Sequence, residues 1–258
     1  MNNTKGTLYL VPAPLDFGCT EQTPLQDVMP ASTLLTAARL THWISENAKT
    51  TRAYLKRVNE LHPLSTSIQT LLIQELPREV HKKGDHLGQF DAKPLLVPAL
   101  QGHDVGLTSE AGMPAVADPG SSVVRAAHEL GITVVPLVGP VSILLALAAS
   151  GLNGQNFAFV GYLPIDASDR IARLRELESL ALKTDQTQLF IEVPHRNAAM
   201  VQALLQTLNH STRLSVSSGL TLGSSVTRSE SIRSWKEKHK EKAHSVDNSM
   251  PAVFAIGR

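Results

Sequence analysis

One segment in the middle of the chain restricts the possible folds more than any other. A buried strand predicted over residues 104–108 leads into a Gly- and Pro-rich loop at 109–120, and a helix follows directly. Gly112 permits backbone angles that other residues avoid, and Asp118 before Pro119 predicts the N-cap of the helix. Open α/β sheets bind ligands at the carboxyl ends of their strands, where this loop begins. The segment therefore predicts an α/β fold and supplies the first candidate for a binding site.

The alternation of strands and helices continues along the chain, from a first strand at residues 7–11 to a last one at 251–256. In the second half, two alternating runs at 214–222 and 225–232 are joined by a short Gly-Ser pair, which indicates an antiparallel hairpin. Strands that alternate with helices indicate α/β architecture, and the late hairpin predicts that the second sheet is mixed.

Residues 132–152 resemble a membrane span, because they form an uncharged stretch of bilayer-crossing length. The Gly139-Pro140 pair divides this stretch, so we predict a buried strand before it and a short buried helix after it. The same pair is the candidate boundary between an N-terminal domain, residues 1–139, and a C-terminal domain, residues 140–258.

Composition narrows the classes of function. The formal net charge of +1 argues against an obligate polyanion binder, although a local basic patch can still bind nucleic acid. Cys19 is the single cysteine, which excludes an internal disulfide and a cysteine-based zinc site. The histidines and carboxylates show no ligand spacing, so we expect no metal centre. The first residues lack the apolar core of a signal peptide, and we expect a cytoplasmic location.

Six motifs in a fixed order resemble a known family. They are GTLYLVPAPL (6–15), ENAKTTRAYLKRV (46–58), LTSEAGMPAVADPG (107–120), GITVVPLVGPVSILLALAASGL (131–152), FVGYLP (159–164) and FIEVPHR (190–196). In this order they are similar to the tetrapyrrole methylase superfamily, the class III S-adenosylmethionine-dependent methyltransferases. Within it they most resemble the ribosomal RNA small subunit methyltransferase I branch, which methylates a ribose 2′-O.

The resemblance implies two α/β/α domains with S-adenosylmethionine in the cleft between them, a homodimer, and RNA or a ribosomal subunit as the partner. It also implies that the cofactor is held largely by backbone groups. Carried over position by position, it assigns cofactor contacts to Leu15, Gly112, Met113, Val116, Ser142, Ile143, Ile191, Ser217 and Pro251. For Ser142 the residues alone also allow a plain capping hydroxyl at the start of a helix.

The chain departs from the branch in two segments. The loop after the first strand is PAPLDFGCTEQTP where the ribosomal enzymes have a shorter Pro-x-Pro-Ile-Gly-Asn turn, and residues 45–52 replace an Ala-Glu-Asp-Thr-Arg element. Both departures lie on the side where the acceptor is expected to bind, so the resemblance supports the cofactor better than the substrate.

Four residues are candidates for work on the acceptor. Glu46 is assigned to orient the acceptor, since removal of a hydroxyl proton needs a nearby base. Lys49 and Arg52 are assigned to contact phosphate. His195 is the candidate base or polar anchor, because an imidazole can accept or donate a proton. The alternative for Glu46, Lys49 and Arg52 is that they are ordinary surface charges at the start of a helix. The alternative for His195 is a purely structural role. Further basic residues gather at 56–57, 78–83 and 236–242.

Two other functions stay open at this stage. One is methylation of a small tetrapyrrole-like acceptor, which predicts a more apolar cleft and no dependence on Lys49 and Arg52. The other is a non-catalytic protein that binds the cofactor or RNA and has kept the fold.

Overall fold

The computed structural model describes residues 4–83, 85, 87–240 and 248–258, and the chain forms two compact units, Met1–Val141 and Ser142–Arg258. Each unit is a five-stranded sheet with helices packed on it. The predicted α/β class is confirmed.

The sheet of the first unit consists of five short parallel strands in the order β3-β2-β4-β1-β5. They are β1 (Thr7–Leu10), β2 (His42–Ser45), β3 (Leu72–Glu75), β4 (Val105–Thr108) and β5 (Thr133–Pro136). From β1 the chain continues to β2, on one side of β1, and from β4 it continues to β5, on the opposite side of β1. The carboxyl ends of β1 and β4 therefore flank the point where the topology switches, which is where open α/β sheets bind ligands.

Two apolar layers cover the faces of this sheet. Leu8, Ile44 and Leu107 belong to one layer, and Trp43 lies in the other. A Cβ atom on Gly106 would lie 2.7 Å from the Trp43 ring, so a residue without a side chain lets the indole lie against β4.

The helices of the first unit are α1 (Leu25–Val28), α2 (Ala31–Arg39), α3 (Ala48–Leu61), α4 (Arg78–Lys83), α5 (Val97–Leu100) and α6 (Ser121–Glu129). Asn47 caps α3, because its side chain accepts hydrogen bonds from the backbone N–H groups of Lys49 and Thr50.

The prediction that Asp118 caps α6 is wrong. The helix begins at Ser121, and Asp85 serves its N-terminus, accepting 2.9 Å hydrogen bonds from the N–H groups of Gly120 and Ser122. The Ser121 and Ser122 hydroxyls donate to the same carboxylate. Burial raises the pKa of Asp85, but these hydrogen bonds outweigh it and hold the pKa below its ordinary value. The free N–H groups at the start of α6 therefore donate to a carboxylate that is distant in sequence.

The second unit has a mixed sheet in the order β6-β7-β10-β8-β9, in which β6 and β7 are parallel and the other neighbours antiparallel. Its strands are β6 (Phe157–Tyr162), β7 (Thr187–Glu192), β8 (Arg213–Ser218), β9 (Val226–Ser231) and β10 (Ala252–Gly257). Its helices are α7 (Ser142–Ser150), α8 (Ala167–Thr184), α9 (Asn197–Thr207) and α10 (Ile232–Lys240). The predicted mixed second sheet is confirmed, with the last strand inserted between β7 and β8.

The uncharged stretch forms β5 and α7, as its Gly-Pro break predicts. One face of α7 is buried through Ile143, Ala146 and Leu147, while Leu144 and Leu145 are exposed. In the described part of the chain, no helix combines the length and the apolar character that crossing a membrane requires.

Candidate functional site

Two loops meet at the switch point of the first sheet. We call residues 11–24, after β1, the first loop, and residues 109–120, after β4, the Gly112 loop. The N–H of Ala13 donates to the Gly112 carbonyl at 2.9 Å, and the N–H of Gly112 donates to the Ala13 carbonyl at 3.0 Å. This two-bond bridge fixes the loops against each other directly outside the carboxyl ends of β1 and β4.

Gly112 is needed in this bridge for two reasons. Its φ of +72° lies in the left-handed region that disfavours side chains. A Cβ atom placed on it would lie 3.3 Å from Leu15 Cδ2 and 3.6 Å from the carbonyl oxygen of Pro140. Leu15, Gly112 and the chain after β5 therefore converge, and a side chain at Gly112 would fill the space that they share.

The Gly112 loop also holds non-glycine residues in left-handed conformations. Ala115 and Ala117 have φ values of 64° and 65°. Each costs about 1–2 kcal/mol for an L-residue, so the surrounding contacts must hold the backbone in place. Met113, half-buried, accepts a hydrogen bond from the N–H of Val116, which is 43% exposed. The four candidate cofactor residues of the first unit thus lie in the two bridged loops.

The five candidate cofactor residues of the second unit lie on or beside its central strands. Ile143, in the first turn of α7 after Ser142, is buried in an apolar cluster against which Ile191 also packs. Ile191 and Ser217 are the neighbours of Val253 across β7, β10 and β8. Pro251 is exposed immediately before β10.

Ser217 offers little to a ligand through its side chain. It is 1% exposed, and its hydroxyl lies 2.8 Å from the hydroxyl of Thr227 on the neighbouring strand β9. The resemblance implies largely backbone contacts to the cofactor, and Ser217 fits that description better than it fits a side-chain contact.

The structure brings Glu46 to the Gly112 loop. Its N–H donates to the Thr108 carbonyl at 3.3 Å, and its carboxylate accepts a 3.2 Å hydrogen bond from the N–H of Glu110. Lys49 and Arg52 instead lie exposed on α3, followed one turn later by exposed Lys56. The carboxylate is therefore part of the loop environment, and the basic side chains form an exposed row beside it.

Asp118 is the residue that the sequence interpretation missed. Burial, followed by the charge of Glu46 and then that of Glu110, raises its pKa to about 7, while the Ser109 hydroxyl partly lowers it. The sequence signal was present but was assigned to helix capping. Because Asp85 performs that task, the Asp118 carboxyl is left beside two other carboxylates at the edge of the sheet.

His195 is exposed in a 3-10 turn at Pro194–Arg196. The neighbouring Arg196 pairs with buried Glu192, with the guanidinium Nη2 and carboxylate Oε1 atoms 2.6 Å apart. Within the described residues, no group of three or more His, Cys, Asp and Glu side chains is arranged to hold a metal ion.

The first loop is tied to α3 by a buried ion pair. Arg57 donates from both terminal nitrogens to the two Asp16 oxygens at 3.0 Å, and also to the Thr23 carbonyl at 2.6 Å. The Asp16 carboxylate is 4% exposed and also accepts from the N–H of Thr23. One ion pair thus joins the first loop, where the chain departs from the branch, to α3, the helix that begins within the second departing segment.

The side chains of Lys82, Lys83 and Lys240, and all of Lys242, lie outside the described residues.

Comparisons with known proteins identify relatives of the sequence. The chain is 38% identical over 124 residues to ribosomal RNA small subunit methyltransferase I of Vibrio cholerae, covering 48% of this chain and 42% of that protein. It is 33% identical over 205 residues to the protein of the same name from Micromonospora olivasterospora, covering 79% and 56%. The chain thus spans about half the length of the curated relatives that it matches. No family model matches it.

Solved structures share its fold. A uroporphyrin-III-C-methyltransferase from Thermus thermophilus superposes with a TM-score of 0.51 at 16% identity, over 98% of this chain and 94% of that one. The methyltransferase CobJ gives a TM-score of 0.57 with the same identity and coverage.

Proposed function

We propose that this chain is an S-adenosylmethionine-dependent methyltransferase. Its resemblance to the tetrapyrrole methylases, and to their ribosomal RNA small subunit methyltransferase I branch, is confirmed. Its proposed substrate is ribosomal RNA, with a ribose 2′-O as the acceptor. The observation that carries the proposal is the bridge between the first loop and the Gly112 loop at the switch point of a parallel sheet. The relatives named above supply the reaction class.

The residues of the first unit fit a nucleoside cofactor. At the bridge Leu15 and the Pro140 carbonyl approach Gly112 closely, and they can do so because this residue has no side chain. S-adenosylmethionine, when bound, supplies an electrophilic methyl carbon. The chain's own contribution is to hold the adenosyl group against the two loops and to orient an acceptor, because positioning can supply much of the rate of an in-line displacement.

Gly112→Val is expected to weaken S-adenosylmethionine binding at least tenfold, because the new side chain fills the space beside Leu15 and strains a φ of +72°. Ser142→Trp tests the cofactor contacts assigned to the start of α7 in the second unit, and it is also expected to weaken S-adenosylmethionine binding. Isothermal titration calorimetry with S-adenosylmethionine and S-adenosylhomocysteine measures both.

Gly154→Val is the matched control, since a Cβ atom there meets nothing within 4 Å and its φ is not positive. A thermal melt of each variant separates lost binding from lost folding. Wild-type affinity in folded Gly112→Val and Ser142→Trp would refute the assigned positions.

The RNA substrate is supported by the exposed row formed by Lys49, Arg52 and Lys56 on α3. Residues spaced by three and four positions share one helix face. Such a row contacts phosphates without reading sequence. It lies on the helix that follows Glu46, next to the Gly112 loop.

Reversing Lys49 and Arg52 to Glu is expected to weaken RNA binding and to flatten its salt dependence by about one unit of log–log slope for each phosphate that is no longer neutralised. The assay measures label transfer to small ribosomal subunits from a strain that lacks this activity, together with filter binding at several salt concentrations. Lys183→Glu, an exposed charge on α8, is the control.

The outcomes separate the candidate substrates. Turnover on RNA that is insensitive to both reversals would contradict the role of the row. Absence of label in the RNA would remove this substrate, and transfer to a small tetrapyrrole instead would favour the alternative acceptor.

The homodimer, which the resemblance implies, and the cytoplasmic location are also part of this proposal. Analytical ultracentrifugation and cell fractionation test them.

A further inference from the structure

Three carboxylates converge at the carboxyl ends of β2 and β4; we call Glu46, Glu110 and Asp118 the carboxylate cluster. Glu46 is joined to Glu110 by the 3.2 Å hydrogen bond from the N–H of Glu110. The charges of both raise the pKa of Asp118. All three lie in or beside the Gly112 loop, on the edge of the sheet where ligands bind.

A buried hydroxyl faces this cluster. Ser109 is 6% exposed, and its side chain lies close enough to Asp118 to lower the pKa of that carboxyl. Yet within the described residues its Oγ atom has no partner that meets hydrogen-bond geometry. Buried polar groups are usually paired, so this hydroxyl, whose nearest charged neighbour is the Asp118 carboxyl, is available to a polar group of a ligand.

Asp118 is not needed to cap α6. Asp85 satisfies the start of α6 with its own four hydrogen bonds. A carboxyl beside two like charges and partly removed from water destabilises the protein when it is ionised. Such an arrangement is typical of functional sites, where protonation is adjusted to a reaction.

We propose that Asp118 is the general base of the reaction, taking the proton from the acceptor hydroxyl; this inference rests on the proposed function. The acceptor O–H bond breaks and its proton passes to the Asp118 carboxylate, while the oxygen forms a bond to the methyl carbon. The carbon–sulfur bond breaks, and its electron pair stays on sulfur as a neutral thioether. The Asp118 carboxyl then returns the proton to water, so no further reactant is needed.

The other two members of the cluster have different contacts. The Glu46 carboxylate is held by the N–H of Glu110, and the Glu110 carboxylate lies 3.5 Å from the Thr50 hydroxyl. Burial, together with their charges, raises the pKa of Asp118 to about 7, close to the value at which a general base works best in neutral solution. Glu46 and Glu110 are therefore positioning residues, which act through Asp118.

The test combines single-turnover methyl transfer between pH 5 and 9 with NMR titration of ¹³C-labelled aspartate carboxyls. The wild-type rate is expected to rise with pH and level off above an apparent pKa of about 7, and one aspartate signal is expected to titrate there. Asp118→Asn is expected to remove that signal, flatten the profile and slow transfer by about 10²–10⁴-fold, with unchanged cofactor affinity.

Two further variants make the result specific. Glu110→Gln removes one neighbouring charge, so it is expected to shift the profile to lower pH and to keep the plateau rate within about tenfold. Asp27→Asn, an exposed carboxylate on α1, is expected to change neither quantity.

The outcomes separate the inference from the function on which it rests. If the wild type binds the cofactor and methylates RNA while Asp118→Asn keeps its rate and profile, the base assignment alone is wrong. An aspartate signal near pH 7 that survives in Asp118→Asn also overturns it. If the wild type neither binds the cofactor nor transfers methyl groups, the proposed function falls and the base assignment falls with it.

Discussion

Replacing Arg57 with alanine is expected to lower the free energy of unfolding by about 3–5 kcal/mol, the range typical of an uncompensated buried charge. The change leaves the Asp16 carboxylate, which is 4% exposed, without its two guanidinium hydrogen bonds. It also removes the hydrogen bond to the Thr23 carbonyl, so the first loop loses its hydrogen bonds to Arg57 on α3. Urea unfolding followed by tryptophan fluorescence measures the effect, since Trp43 lies buried in the same unit.

The matched control is Arg173→Ala. Arg173 pairs with Glu176 at 2.6 Å, but the two side chains are 36% and 67% exposed. Exposed pairs contribute about 0–1 kcal/mol, so a small effect is expected there. Equal effects in the two variants would show that the Asp16–Arg57 pair has no special role.

Asp16→Asn in the Arg57→Ala background is expected to recover part of the lost stability, because it removes the charge that the first change leaves unpaired. If the double variant recovers no stability, the loss in Arg57→Ala comes from the missing packing of the Arg57 side chain instead.

The second large effect is a pH-dependent gain in stability in Asp118→Asn. The folded-state pKa of Asp118 is about 7, against an ordinary value of 3.8, so the folded protein holds a proton that the unfolded chain has already released. Stability is therefore full below pH 4 and falls as the pH rises towards 7. An amide cannot ionise, so the variant is expected to be more stable at pH 8 by about 2–4 kcal/mol.

Urea unfolding of wild type and Asp118→Asn at pH 4.5, 6 and 8 measures this difference. The gain is expected to shrink towards zero as the pH approaches 4, and Asp27→Asn should show no such trend. A difference that is the same at all three values would contradict the raised pKa. Greater stability together with slower methyl transfer is the combination expected of a functional carboxyl kept at a cost to the fold.

Local patterns in the sequence were sufficient for the fold class. The alternation of strand and helix patterns predicted the α/β architecture, and the two alternating runs late in the chain predicted the antiparallel pair in the second sheet. The Gly139-Pro140 pair correctly ended the strand before α7. These successes share a reason: side-chain periodicity and turn residues act over a few positions, so a single sequence displays them.

Part of the candidate site was also visible. Glu46 was chosen for its position at a strand end, and the structure places it against the Gly112 loop. Lys49 and Arg52 were chosen from the same motif, and the structure shows both exposed on one face of α3. Sequence spacing named the segment for all three, and the fold decided which of their side chains contacts the loop.

The sequence by itself determined which segments become strands, helices and tight loops, and through its ordered motifs it determined the family that the chain resembles. Only the tertiary structure decided that Asp85 caps α6, that Arg57 holds Asp16, and that Asp118 stands beside Glu46. Each of these depends on side chains far apart in sequence that meet when parallel strands align their carboxyl ends. No local pattern shows such a meeting, because the distance between two residues in the folded chain is set by sheet order and not by their separation along it.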